Sequence, residues 1–115
     1  MDDKLALRIS QAGMRFIAQM TIYNSADFER LQTFIVEGYQ ADLLQHSDAH
    51  ERVGALREQY ERFGKMRVQQ VIGTGKHHVI VLVVAQKSES YFLNELKVEE
   101  DYPHHVIEYN ITPMV

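Results

Sequence analysis

Apolar residues recur every three or four positions up to about residue 65, and beyond it they shift to the two-residue rhythm of strands. Leu5, Ile9, Ala12, Phe16 and Met20 form one stripe, with Gly13 and Ile17 beside it, which predicts a helix from about Asp3 to Ile22. Asp2 and Asp3 suit the positive end of its dipole. Asn24 and Ser25 offer an N-cap for a second helix carrying Phe28, Leu31, Phe34 and Ile35 and fading near Gly38. Tyr39 to Gln45 reads either as a last turn or as a short extended segment. Ser47 offers a third N-cap, and Val53, Leu56, Tyr60 and Phe63 continue an apolar stripe to a C-terminal Gly64.

Four strand-like runs follow: Met66–Ile72, His77–Gln86, Tyr91–Glu99 and His105–Thr112. The segments between them, Gly73-Thr74-Gly75, Lys87 to Ser90 and Asp101 to Pro103, are short, so successive strands should pair as an antiparallel meander. The second run is apolar on both faces, which predicts a central strand with helices on one side and another covered surface on the other. The later runs alternate: Phe92, Leu96 and Val98 share one face, and Ile107, Tyr109 and Ile111 share another. Helices first and then an antiparallel sheet make an α+β fold.

Composition narrows the function classes. A chain of 115 residues forms one domain large enough to bury a core without metals or disulfides. It has no cysteine, which excludes a thiolate nucleophile and a thiolate zinc site. A net charge of −4 with scattered basic residues argues against a general nucleic-acid binder. Glu58 with Arg62 and Glu61 with Lys65 have the i,i+4 order of an exposed helix face. There is no basic leader with a long apolar core, and no run near the roughly 18 apolar residues of a membrane helix. The expectation is a soluble cytoplasmic protein with no membrane partner.

Two His-His pairs, His77-His78 and His104-His105, open the second and fourth strands. Adjacent strand residues point to opposite faces, so each pair offers one imidazole to any one site. The two strand starts should lie about 10 Å apart with the third strand between them, too far to share an ion without a bulge. These histidines therefore read as strand-entry residues, and His46 and His50 as residues of a capping region. No metal and no cofactor is expected. Ser10, Ser25, Ser47, Ser88 and Ser90 include no nucleophile elbow, and the Gly73-Thr74-Gly75 turn opens no helix, as a phosphate loop must. No catalytic residue is assigned. Asn94 shares a face with Phe92, Leu96 and Val98, and is either a core amide bonded within the protein or a polar anchor on a pocket floor.

The segments NSADFERLQTFIVEGYQADLL (24–44), ERVGALREQYERFGKMRV (51–68) and HHVIEYNITP (104–113), in this order of helices and strands, resemble the nuclear transport factor 2-like, or cystatin-like and ketosteroid isomerase-like, group. The chain is similar to the small cone-shaped domain that accompanies beta-lactamase-like serine hydrolases. The resemblance implies a curved sheet wrapping a long helix and a homodimer through the sheet. It implies a non-enzymatic domain that binds a small apolar ligand or a protein partner, its pocket lined by Phe16, Met20, Tyr39, Asn94 and Tyr109. Two alternatives stand beside it. One is a lyase or isomerase with Asp42 or a histidine as base, and the other an accessory module for a serine hydrolase.

Overall fold

The computed structural model describes residues 3–114, and no side-chain position is assigned to Asp3 or Lys4. The reading of Asp2 and Asp3 as first-turn acids lies outside what is described. Five helices precede four strands: α1 (Asp3–Arg8), α2 (Gln11–Asn24), α3 (Phe28–Gly38), α4 (Ala41–His46), α5 (Ala49–Phe63), β1 (Met66–Thr74), β2 (His78–Ala85), β3 (Tyr91–Val98) and β4 (Val106–Met114). The sheet is antiparallel throughout, in the order β1-β2-β3-β4, and does not close into a barrel. This is the expected α+β class.

The long first helix is in fact two. Ser10 leaves the helical region at φ −110° and ψ 150°, and its hydroxyl accepts from the Gly13 amide at 2.8 Å. The next free amides, of Gln11 and Ala12, both donate to the Lys76 carbonyl in the β1–β2 turn. A serine that can satisfy N–H groups locally, with a turn carbonyl placed to take the rest, makes a break cheaper than continuing the helix. Leu5 and Ile9 are exposed as a result, while Ala12 and Phe16 are buried.

The other caps also fall a residue or more from their expected places. Asp27 caps α3 and Asp48 caps α5, each accepting from the amide three residues on, whereas Ser25 and Ser47 close the preceding helices. Asn24 does something different: its amide bonds both the N–H and the C=O of Met66 at 2.8 Å, tying the end of α2 to the start of β1. Tyr39 to Gln45 combines both expected forms. Tyr39 makes a parallel bridge to Val106 on the edge of β4, Gln40 donates to the Val106 carbonyl at 2.8 Å, and α4 follows.

α2 lies across β1, β2 and β3, α3 packs beside it, and α5 packs against α3. The core fills the gap with Phe16, Leu31 and Ile35 against Val79, Val81, Val83 and Leu96, all nearly inaccessible. Ile80 and Leu82, on the other face of β2, are half-buried, and no second layer among the described residues covers them. Register pairs Leu82 with Leu93, and Val84 with Tyr91, on that outer face. Ile107 departs from the face expected for it. A register shift opposite Lys97 and Val98 makes it the extra residue, so it is exposed while Tyr109 and Ile111 turn inward. Gly73 and Thr74 belong to β1, and the hairpin turn starts at Gly75, whose amide donates to the His78 carbonyl at 2.7 Å.

Candidate functional site

One side of α5 carries Arg52, Leu56, Gln59 and Phe63, spaced as a single helical stripe. This stripe faces the inner surface of the sheet near Phe92 of β3 and Tyr109, Ile111 and Pro113 of β4. A cleft of about 380 Å³ lies between them, with Tyr39 at one end. Phe63 and Phe92 meet edge to face with centroids 5.0 Å apart and make one wall. That volume falls in the range of small-molecule sites, which are mostly apolar with a few fixed polar groups.

Behind the cleft is a much smaller space of about 20 Å³, bounded by Phe16, Gln19, Met20, Asn94 and the inner edge of Tyr109. It holds about one water and no ligand. The five expected pocket residues therefore divide. Tyr39 and Tyr109 line the cleft, Tyr109 also reaches the inner space, and Phe16, Met20 and Asn94 touch only that inner space.

The partition between the two spaces is a polar network in an apolar core. Tyr109 donates to Asn94 Oδ1 at 2.6 Å, and Tyr39 donates to Gln19 Oε1 at 2.6 Å. Asn94 is 2% exposed and Gln19 4%, so each amide oxygen depends on its phenol for satisfaction. Asn94 is thus a core amide bonded within the protein, one of the two roles open to it from sequence. Burial pushes the Tyr39 hydroxyl far above the ordinary tyrosine value, against the smaller opposing effects of the Arg52 charge and the Gln19 hydrogen bond. Tyr109 is pushed up in the same way, first by enclosure of its hydroxyl and then by the neighbouring Tyr39, although its ring keeps some surface on the cleft. Tyr23 is raised too, again chiefly by burial. All three are neutral donors at physiological pH.

Arg52 is the charged group most firmly placed in the cleft. Its Nε donates to the Ser47 carbonyl at 2.7 Å and its Nη2 to the Leu43 carbonyl at 3.2 Å, both at the C-terminal end of α4. Its guanidinium lies over the Tyr39 ring, 5.4 Å from the centroid. Arg62 rests over Phe63 at 5.1 Å. The expected pairing of Glu58 with Arg62 and Glu61 with Lys65 is replaced: the ion pair on this helix is Arg57 with Glu61, at 3.9 Å and well exposed.

The remaining sequence candidates lie elsewhere. Asp42 is exposed on the first turn of α4, away from the cleft lining. His46 and His50 are exposed at the adjoining ends of α4 and α5. The four strand-entry histidines gather at the far end of the sheet, more closely than strand spacing alone suggests. The β3–β4 loop folds back, with His104 at φ 60°, and sets the His104 ring on His77 with centroids 5.7 Å apart. His78 and His105 diverge from them, to Glu95 at 2.6 Å and to Glu99 at 3.1 Å. Among the described residues no group of three or more His, Cys, Asp or Glu is arranged to hold a metal ion. No helix among them is long and apolar enough to cross a membrane.

The sequence pointed to Leu56 and Phe63 as core residues and gave Arg52 and Gln59 no role. The spacing 52-56-59-63 was the available signal: a helical stripe in which polar Arg52 and Gln59 alternate with apolar Leu56 and Phe63. Compared with family models, with curated proteins and with solved structures, the chain matches none.

Proposed function

We propose that the protein is a non-enzymatic binding domain of the nuclear transport factor 2-like kind, taking a small apolar ligand in the cleft under α5. The cleft itself carries the reading. It is the right size, its walls are mainly aromatic and aliphatic with Arg52, Glu58, Gln59 and Arg62 among them, and it is closed at the back by neutral phenols and amides. A lyase or isomerase of this architecture needs a base facing a proton donor. The residues around the inner space are amides, phenols and apolar groups, and Asp42 lies exposed on α4, which favours binding over catalysis.

The reading extends to assembly. Two copies pair through the outer sheet face in the cytoplasm, burying the apolar strip of Ile80, Leu82 and Leu93 that no element among the described residues covers. The cross-strand pair Lys97–Glu108, at 3.4 Å, and His78–Glu95 make the polar border of that strip.

Nile red binding tests the cleft. The account expects saturable fluorescence enhancement that is lost in Ala55→Trp, a change at an exposed α5 position whose side chain fills the cleft without touching the core. Undiminished binding by that variant contradicts the reading. Native mass spectrometry of untagged protein tests the dimer. A dimer that becomes monomeric in Leu82→Glu supports the pairing; a monomeric wild type overturns it and leaves the strip to another partner, such as a hydrolase.

A further inference from the structure

We infer that the cleft's ligand is an elongated monocarboxylate, with its acid group on Arg52 and its apolar body running along α5 toward Phe63. The inference rests on the ligand-binding reading above and specifies it. Arg52 is half-buried, and two backbone carbonyls and the Tyr39 ring fix its guanidinium, so little freedom is lost when an anion meets it. Those carbonyls occupy Nε and Nη2, and among the described residues no carboxylate lies within ion-pair distance of Arg52. The second N–H of Nη2 and both of Nη1 remain, and the edge they form matches the two oxygens of a carboxylate.

The shape follows from the stripe. Arg52 and Phe63 are eleven residues apart on one helix, which at the helical rise spans about 16 Å. Between them the lining is Leu56 and Gln59 on the helix with Phe92 and Ile111 opposite, a mainly apolar run with no charge on its floor. Glu58 sits on the rim about 9 Å along the axis from Arg52. Arg62, exposed at the Phe63 end, lines the cleft with the opposite sign, so the half-buried and anchored Arg52 is the fixed charge that selects the acid group.

Calorimetric titration with decanoate, 1-decanol and decylamine compares one chain with three head groups. The inference predicts that decanoate binds about tenfold or more tightly than decanol, and decylamine most weakly. Arg52→Gln should bring decanoate to the level of decanol, while Arg57→Gln, exposed on the same helix outside the cleft, should change it by less than about twofold. Equal affinity for decanoate and decanol in the wild type overturns the carboxylate assignment and leaves the apolar cleft standing. That comparison needs no variant to fold. If none of the three binds, or if Ala55→Trp binds all three as the wild type does, the cleft reading falls together with this inference.

Discussion

Gly13 stands where no side chain fits. A Cβ there would lie 1.9 Å from the Leu7 carbonyl oxygen and 2.6 Å from Ser10 Oγ, because the chain turns back on itself between α1 and α2. Gly13→Ala should therefore cost about 2–4 kcal/mol, since backbone must move to admit one methyl group. Gly54 is the opposite case: nothing lies within 4 Å of its Cβ position, in the exposed interior of α5. Gly54→Ala should stabilise by roughly 0.5–1 kcal/mol through helix propensity alone. Urea unfolding of the two variants checks both signs. The buried phenols give a pH prediction. Unfolded tyrosine loses its proton near pH 10, while Tyr39 and Tyr109 in the fold keep theirs to higher pH. Above that point the unfolded chain holds fewer protons than the native one. Stability that is fully present below pH 10 therefore falls as pH rises, by about 1.4 kcal/mol per unit for each such tyrosine. Tyr39→Phe should start less stable, because Gln19 loses its donor, yet decline more gently between about pH 10 and about pH 11. Parallel declines of variant and wild type would contradict the account.

At the scale of elements, the joints decide the architecture more than the stripes do. Asn24 ties α2 to β1 through both backbone groups of Met66, and Asn24→Ala leaves that pair without partners at the sheet's edge. The expected cost is about 2 kcal/mol, against about 1 kcal/mol for removing an ordinary cap with Asp48→Ala. Thermal unfolding of the two variants orders them. The same residues mark how far the sequence can be read. Periodicity located α3, α5 and all four strands, and read α1 and α2 as one helix, because burial of one face imposes the spacing directly. It could not locate the break at Ser10, which depends on the Lys76 carbonyl arriving from a turn about 66 residues away in the chain. Nor could it choose between Asn24, Ser25 and Asp27 as caps, since all three side chains can accept from a free amide. The choice falls to Asp27 because Asn24 is engaged by Met66. The histidine pairs were legible as divergent neighbours, but the folding back of His104 onto His77 belongs to the β3–β4 loop and has no periodic signature. For the cleft, Tyr39 and Tyr109 were legible as pocket candidates from the fold analogy. Arg52 was not, because its place depends on the end of α4, an element the pattern left ambiguous.

At the scale of the whole molecule, two apolar surfaces among the described residues concern binding: the cleft under α5 and the outer strip of the sheet. The account gives them different occupants, a small ligand for the first and a second copy for the second. Their separation on opposite faces of one sheet makes the assignment open to a direct test. Two-dimensional proton–nitrogen and methyl NMR spectra during a decanoate titration would show which residues respond. The account predicts saturable shifts at Leu56, Gln59, Phe92 and Ile111, with the Arg52 side-chain signals moving most and Ile80, Leu82 and Leu93 unmoved. Shifts confined to Ile80, Leu82 and Leu93, with the α5 stripe silent, would contradict it.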